Sequence, residues 1–458
     1  MGLRPLTPGA VGADIDKIIQ TQELDPLAIQ HSAIIHTPQH DINVTELVSI
    51  ETSRDYANEI ADYVLVDFRI GLGTYVKLLH PHMDNLEMTI KTTYYNKVYG
   101  VRYKMLLGKG PSSLTGSHMT SYSMEELNKQ DYVLVEVQCV NRTVEALRLA
   151  TTNGIYNYAT VKEVIKTSIG NAIQDLKING TTLDTVIDMI QPNNEQSYRH
   201  INIPAGTRIL DVPTYLQRTD YGVYSSGIGT YVQTYGYFDP VKKPRDVVFV
   251  YPLYNSERTT NIGKKLMVLS TPLMNLSNVE NSYMVDGDVI KIIGAANVIS
   301  DDVSQQHVID NGNALISTDT NRIMESGSDV TDSTVKADKK ITIAGKRLIN
   351  KTDSLDGMNY VKPSSNPYKT YSEVAKNLLS KYQFTWNFSN PELLFPGMSI
   401  MYVYEDTDYG VLRLKGVIHS VYTKYNHYHK SHTTIINALL EPYSKVSNNK
   451  STTVDVSR

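Results

Sequence analysis

Hydrophobic and polar positions alternate along the first 142 residues in the manner of β-strands. In the segment Asp62–His80, the apolar residues Val64, Val66 and Phe68 fall on one face of such a strand. Successive side chains of a strand point to opposite faces of a sheet, so this alternation predicts half-buried strands. We therefore predict a tube-like, antiparallel β-rich domain over residues 1–142.

The hydrophobic period changes to that of a helix after residue 158. Thr160 and Glu163 have the spacing of a capping box, in which the two side chains satisfy backbone N–H groups at a helix start. Apolar residues follow at helical spacing: Val161, Val164, Ile165, Ile169, Ala172, Ile173 and Leu176. The segments Thr182–Pro192 and Thr207–Gly222 are predicted to form further short helices. Residues 143–244 are thus expected to form a helical or mixed domain.

Strand patterns return in the second half of the chain. Arg245–Tyr254 has the composition of a strand, and Asp286-Gly287 is a hairpin-turn signal between two β-prone runs. Gly294–Ser354 is largely polar, which predicts long loops with at most short strands. We assign a β-rich domain with long polar loops to residues 245–365.

A helix followed by strands is predicted near the C-terminus. Thr370 and Glu373 form another capping-box pair, and apolar residues alternate with other side chains from Met398 onwards. The pattern predicts a tube-like β-barrel with a helix over residues 366–445 and a polar tail over 446–458. The predicted fold class is α+β, with two tube-like antiparallel β-barrel domains flanking a helical or mixed middle domain.

The composition is that of an ordinary folded protein. Of 458 residues, 41% are hydrophobic and 20% are charged, and the net charge of −4 argues against a dedicated nucleic-acid-binding protein.

A single cysteine, Cys139, excludes a disulfide within the chain and is expected to be a small buried strand residue. We expect no signal peptide and no membrane-spanning segment. Tyrosine is unusually frequent, with 32 residues, which favours a protein that buries surface against partners.

Motifs that carry chemistry are nearly absent. The glycine-containing segments lack the spacing of phosphate-binding loops, and neither a nucleophile elbow nor a zinc-protease motif occurs. Two histidine clusters and one acidic turn are ordinary strand-to-turn positions and weak metal-site candidates: His80 with His82, then His427 with His429 and His432, and Glu405 with Asp406 and Asp408. We predict no catalytic residues, no metal, no cofactor and no enzymatic activity.

One region of the sequence resembles a known family. Ile203-Pro204-x-x-Thr207 precedes a predicted short helix, Tyr221-Gly222-x-Tyr224 has a turn pattern, and Val250-Tyr251-Pro252 ends a predicted strand. This order resembles the baseplate hub proteins of contractile-tailed bacteriophages, which hold the central spike below the tail tube. The strands that follow Pro396-Gly397 also resemble the C-terminal barrel of that family, whereas Gly294–Ser354 has no counterpart in it.

The resemblance implies a homotrimer in the virion tail baseplate, made in the host cytoplasm. Each chain would contribute two tube-like barrels to a pseudo-sixfold ring that meets the hexameric tail tube. The implied partners are the tail tube protein, the central spike protein and other baseplate proteins, and DNA would pass through the lumen without specific binding.

Candidate interface residues lie near the C-terminus. Leu393, Leu394 and Phe395 form a compact apolar run, and Tyr402 and Tyr404 could lie on an edge strand that pairs with a neighbouring chain. The alternative is that all five are ordinary core or strand positions. Two other functions also stay open, namely a tail-associated cell-wall or glycan hydrolase and a glycan-binding module with tyrosine stacking platforms.

Overall fold

A computed structural model of the chain describes residues 29–94, 97–107, 132–174, 176–178, 180–235, 245–256, 264–270, 283–294, 296–298, 314–317, 322–325, 337–343, 346–351, 368, 372, 375–376, 379–387, 389–406, 410–427 and 431–441. The predicted capping-box pair of Thr370 and Glu373 and the predicted tail lie outside the described residues. No helix in the described ranges is long and apolar enough to cross a membrane.

Seven strands form what we call the N-terminal β-unit: β1 (Ile29–His36), β2 (Asp41–Asn43), β3 (Glu46–Asp55), β4 (Tyr63–Gly71), β5 (Glu87–Tyr94), β6 (Lys97–Leu107) and β7 (Tyr132–Asn141). Every pairing among them is antiparallel, in the order β3-β4-β7-β6-β5-β1-β2. The predicted alternation is confirmed, because Val64, Val66 and Phe68 of β4 are all buried in the interior of this unit.

The strand predicted over Asp62–His80 is shorter than expected. It ends at Gly71, and the backbone then forms helical turns over Leu72–Thr74, Tyr75–Leu79 and His80–Asn85. The physical reason is the spacing of the buried residues after the strand, since Leu72, Tyr75 and Leu79 recur at helical intervals.

The middle unit combines helices with three small sheets: α1 (Arg142–Leu147), β8 (Thr151–Thr160), α2 (Val161–Ile173), β9 (Lys177–Ile178), β10 (Thr181–Thr182), β11 (Thr185–Met189), β12 (Ser197–Arg208), α3 (Val212–Arg218), β13 (Ile228–Tyr235) and β14 (Arg245–Pro252). A 3-10 turn over Ile209–Asp211 precedes α3. Strands β8 and β12 form an antiparallel ribbon, β11, β14 and β13 form a three-stranded sheet in that order, and β9 pairs with β10.

Helix α2 begins as predicted. The Thr160 side chain accepts a hydrogen bond from the backbone N–H of Glu163, and the Glu163 carboxylate accepts one from the backbone N–H of Thr160. The helix predicted over Thr182–Pro192 is wrong, because Thr185–Met189 is a strand that pairs in parallel with β14. That partner lies about sixty residues further along the chain, so local periodicity could not reveal it.

The C-terminal β-unit contains eight strands: β15 (Lys265–Ser270), β16 (Tyr283–Asp286), β17 (Val289–Ile293), β18 (Ala296–Val298), β23 (Ser380–Asn387), β24 (Ser399–Asp406), β25 (Gly410–Asn426) and β26 (Ser431–Leu440). A 3-10 turn over Pro391–Leu393 lies between β23 and β24. The predicted hairpin turn is confirmed between β16 and β17, where Gly287 has a φ of 57°. The predicted polar segment contains a separate sheet of short strands: β19 (Ala314–Ser317), β20 (Arg322–Glu325), β21 (Ala337–Ile343) and β22 (Lys346–Lys351).

Strand β25 joins the two β-units into one sheet. Along one edge, its first half pairs with β24 and its second half, Ser420–Asn426, pairs with β3. Its other edge pairs with β26 from Gly416 to Asn426. The two β-units therefore share a continuous hydrogen-bonded backbone.

The mixed α+β class is confirmed, but the closed barrels are not. In the described part of the chain no ladder of hydrogen bonds joins β1 to β3, and β16 and β18 stay at opposite ends of the C-terminal unit. Within the described ranges, both units are antiparallel or mixed sheets that remain open at one seam.

Candidate functional site

The predicted interface residues lie in or beside the core of the C-terminal β-unit. Leu394 and Phe395 are buried, Leu393 packs against the same cluster, and Tyr402 is 8% exposed. Tyr404 is partly buried and its ring lies 5.1 Å from that of Tyr402.

Strand β24, which carries Tyr402 and Tyr404, is flanked on both sides. It pairs in parallel with β15 and antiparallel with β25, so it is not the edge strand that the sequence suggested. Both of its hydrogen-bonding edges are used within the chain, and a contact with another chain would have to use side chains instead. The interface role of these residues stays a prediction.

A buried arginine lies where the two β-units meet the middle unit. Arg54 on β3 is 3% exposed, and its guanidinium donates to the Asp62 carboxylate at 3.3 Å, to the Pro391 carbonyl at 2.9 Å and to the Glu392 carboxylate at 3.4 Å. The N-terminal β-unit is therefore tied to the 3-10 turn that precedes β24 in the C-terminal unit.

The same cluster reaches the middle unit. Tyr231 on β13 donates its hydroxyl to Asp62 at 2.9 Å, and Gln233 on that strand donates to the Leu394 carbonyl at 3.0 Å. Tyr251 on β14 donates to the Tyr56 carbonyl at 2.7 Å. We call Arg54, Asp62, Tyr231 and Glu392 the junction cluster, because these four side chains connect all three units.

The charges of the junction cluster are strongly coupled. Burial alone would lower the pKa of Arg54, but Asp62 and Glu392 raise it above its ordinary value. Burial raises the pKa of Glu392, and Arg54 offsets only part of that effect. A buried guanidinium whose three nitrogens each donate to a carboxylate or a carbonyl holds the units together.

A small cavity lies beside the junction cluster, inside the N-terminal β-unit. Its volume is about 40 Å³, enough for about three water molecules. Its wall is mixed, with polar and apolar side chains contributed by both β-units: His31, Ile50, Thr52, Arg54, Val64, Ile90, Thr92, Tyr99, Val101, Tyr103, Pro391, Glu392, Thr423, Tyr425 and His432.

Two histidines and a tyrosine pack across the open seam of the N-terminal unit. The His31 ring on β1 lies 4.1 Å from that of Tyr425 on β25 and 5.3 Å from that of His432 on β26. Thr92 Oγ1 lies 3.0 Å from Nδ1 of His31, whereas Nε2 of His31 is buried without a hydrogen-bond partner among the described residues. Side-chain packing thus closes the seam at which, in the described ranges, no ladder of hydrogen bonds joins β1 to β3.

Both histidines resist protonation. Burial lowers the pKa of His432 to about 4, and burial together with the nearby His432 lowers the pKa of His31 well below its ordinary value. The two rings are therefore neutral at pH 7 and pack as polar core residues.

The other candidate chemical groups are scattered. Burial raises the pKa of Cys139 to about 12, which makes this thiol a poor nucleophile. No three His, Cys, Asp or Glu side chains in the described ranges are grouped so that they could hold a metal ion. His80 and His82 lie on a 3-10 turn instead of a strand, and His429 and Asp408 lie outside the described residues.

Sequence reasoning missed the junction cluster and the histidine pair across the seam. Arg54 and Glu392 are separated by 338 positions, and no local pattern connects them. One feature of the sequence could have indicated the cluster. Arg54 falls on the buried face of β3, and an arginine at a core position needs buried hydrogen-bonding partners.

The chain matches no protein-family model and no curated protein. Among solved structures, it is similar to a 43 kDa tail protein of prophage MuSo2 from Shewanella oneidensis, with 10% identity, 90% of this chain and 99% of that chain covered, and a TM-score of 0.45. A tail protein from Neisseria meningitidis MC58 gives 9% identity, 90% and 96% coverage, and a TM-score of 0.43.

An Escherichia coli protein is also similar, with 12% identity, 91% of this chain and 77% of that chain covered, and a TM-score of 0.42. It is described as a component of the type VI secretion system with structural similarity to T4 bacteriophage tail proteins gp27 and gp5. With TM-scores of 0.45 or lower, these likenesses carry no conclusion about what the present chain does.

Proposed function

We propose that the chain is a structural baseplate hub of a phage tail, which joins a trimeric central spike to the hexameric tail tube. The observation that carries this proposal is the pair of β-units joined by β25 into one continuous sheet. Three copies of such a chain present six β-units, so a threefold ring can match a sixfold tube.

The family-like segments have the local structure that the resemblance implies. The segment Ile203–Thr207 leads through a short 3-10 turn into α3, Gly222 has a φ of 70° in the turn that follows, and Val250–Pro252 ends β14. The order of turn, helix and strand is therefore the one on which the resemblance rests.

The junction cluster suits a structural role. A protein that transmits force between a spike and a tube needs its units fixed relative to one another, and a buried, fully paired arginine provides such a fixed contact. In the proposed assembly the chain has no catalytic activity, belongs to the virion tail baseplate, contacts the tube, the spike and other baseplate proteins, and lines part of the channel through which DNA is ejected.

Light scattering on the purified chain tests the proposal, combined with negative-stain imaging of the same fractions. We expect a mass of three times 51.4 kDa, or a multiple of that mass, and rings with a central opening. A mass that does not contain three chains, with no ring at any concentration, would contradict the hub. Turnover of cell-wall or glycan substrates by the same sample would favour the hydrolase alternative.

A further inference from the structure

The β8–β12 ribbon of the middle unit has one covered face and one exposed face. On the covered face, Ile201 and Ile203 are buried in the core of the middle unit, and the Tyr156 hydroxyl lies 2.9 Å from Ser168 Oγ of α2. On the other face, Ile155 is 66% exposed. The ribbon is thus anchored on the helices and presents the rest of its surface outward.

The outer edge of β12 is occupied by two tyrosine hydroxyls. Asn202 donates its backbone N–H to the Tyr221 hydroxyl at 3.2 Å, and the Tyr215 hydroxyl donates to the Asn202 carbonyl at 3.3 Å. The Tyr221 hydroxyl also lies 3.4 Å from the His200 carbonyl. Polar backbone groups on this edge are therefore satisfied within the chain.

The same contacts define which groups of β8 point outward. The backbone of Asn202 points away from β8, so Asn202 and Ile155, which lie directly opposite each other, form a non-hydrogen-bonded pair. The backbone N–H and C=O of Ile155 must then point away from β12 as well. Asn157, which lies opposite His200, shares this orientation, and the alternation of a strand assigns it to Asn153 as well, although Asn153 faces the register shift between Ile203 and Thr207. In the described ranges β8 has no second neighbouring strand.

This edge lacks the charges and prolines that normally protect an edge strand. The segment Thr151–Thr160 contains no charged residue and no proline, whereas β12 carries Arg199, Pro204 and Arg208. Charges and prolines on edge strands normally prevent pairing with other chains. An uncharged and exposed edge is an unprotected pairing surface.

Tyr158 marks where this surface ends. It is 75% exposed and, with a φ of 51°, is the one non-glycine residue in the described ranges with a positive φ. Such a backbone costs of order 1 kcal/mol or more for a bulky residue. The extended part of the edge on the N-terminal side of Tyr158 is therefore Asn153–Asn157, within which Gly154 has a φ of 146°, a conformation that glycine adopts readily.

We propose that the β8 edge pairs antiparallel with the β8 edge of a second copy of this chain. Centred on Ile155, the pairing places Ile155 opposite Ile155, Asn153 opposite Asn157, and Gly154 opposite Tyr156. No like charges meet, and the two exposed isoleucines cover each other. The two ribbons become one four-stranded sheet about a twofold axis. This contact does not rest on the proposed hub function.

The mass of the full-length chain and of two variants tests the proposal. Ile155→Lys places two like charges opposite each other, so we expect it to weaken the twofold contact by about tenfold or more and to halve the mass at a fixed concentration. Val285→Lys is the matched control, because Val285 is 46% exposed on β16, another strand at the end of a sheet, and its mass should not change. Circular dichroism and melting temperature should be the same for all three proteins.

The outcome separates this contact from the hub. If the native chain has the mass of six chains and Ile155→Lys that of three, both the β8 contact and the hub are supported. If the native chain has the mass of two chains and Ile155→Lys that of one, the β8 contact is supported and the hub is contradicted. A mass of three chains in both proteins supports the hub and overturns the β8 contact. An equal loss of mass in Val285→Lys also overturns it, because the effect would then be one of surface charge in general.

Cross-linking tests the register. In the proposed pair the two copies of residue 155 are directly opposite, about 5.5 Å apart between Cα atoms, which is within the range for a disulfide. Ile155→Cys should therefore form a covalent dimer on mild oxidation, while the native chain stays uncross-linked because Cys139 is buried. Failure of Ile155→Cys to cross-link in a sample that has the doubled mass would overturn the proposed register.

Discussion

The interior of the N-terminal β-unit contains a cavity whose wall includes its own His31 and Arg54 and also His432 of the C-terminal β-unit, whereas the rest of the C-terminal β-unit is filled by packed aromatic rings. In the latter, Phe384 lies 5.2 Å from Tyr402, and Trp386 lies 5.6 Å from Tyr283 in an edge-to-face arrangement. The two interiors belong to one continuous sheet through β25. Continuity of the backbone ladder therefore does not impose one kind of core.

The difference shows which forces hold each unit. Aromatic packing stabilises through buried apolar area and dispersion, neither of which depends on pH. Neutral histidines and a buried ion pair contribute only while each group keeps its protonation state and its partner. We expect the two units to respond differently to substitutions and to acid.

Replacing Arg54 should give the largest effect. Arg54→Met leaves Asp62 and Glu392 buried without their cation, and breaking a buried ion pair in this way costs about 3–5 kcal/mol. The free energy of unfolding, measured with urea and followed by circular dichroism, should fall by that amount.

Arg69→Met is the control for that experiment. Arg69 lies on the adjacent strand β4 and pairs with Glu46 at 2.9 Å, but its side chain is 48% exposed. Exposed ion pairs contribute about 0–1 kcal/mol, so this variant should be nearly as stable as the native chain. Equal losses for the two arginines would show that the junction cluster does not fix the units.

Acid should destabilise the seam where His31 of the N-terminal β-unit packs against His432 of the C-terminal β-unit. Because burial lowers the pKa of His432 from 6.5 to about 4, the unfolded chain binds a proton in this range that the folded chain does not. Stability is therefore lost as the pH falls from about 6.5 to about 4, by about 3 kcal/mol for this residue. His31 acts in the same direction, and Glu392, whose pKa is raised by burial, acts in the opposite one.

Urea unfolding at several pH values between 7.5 and 4.5 measures this dependence. His432→Gln keeps a polar side chain near Ser389 but removes the titrating group, so its stability should change less with pH than that of the native chain. An unchanged pH dependence in the variant would rule out His432 as the source of the acid sensitivity.

The contrast between the units also shows what the sequence can predict. Helix α2 and the Asp286-Gly287 turn follow from contacts within a few residues, namely a capping box and a tight turn. In contrast, β11 requires β14 as its partner, and the sequence alone favoured a helix there. Local signals therefore predicted the elements better than their pairing.

The candidate site was still less accessible to sequence reasoning. The apolar run at Leu393–Phe395 is evident in the sequence, but its importance in the fold comes from its neighbours Pro391 and Glu392, which bind Arg54 from a strand more than three hundred residues away. The sequence also could not predict that β25 pairs with both β24 and β3. This pairing depends on two separate strand registers along the same edge of β25. Both features arise from tertiary pairing and not from any residue pattern.

The smallest predicted effect compares the same small deletion in the two interiors. Ile436→Val removes one methylene from the aromatic-rich core, where Ile436 is fully buried, and should cost about 1–1.5 kcal/mol. Ile90→Val removes one from the cavity wall, where part of the surface already lacks a packed neighbour, so fewer contacts are lost and we expect about 0.5 kcal/mol. Urea unfolding of the two variants beside the native chain measures the difference. Equal costs would mean that the cavity side chains close around the deletion as tightly as the aromatic core does, and the two interiors would then differ in charge but not in packing.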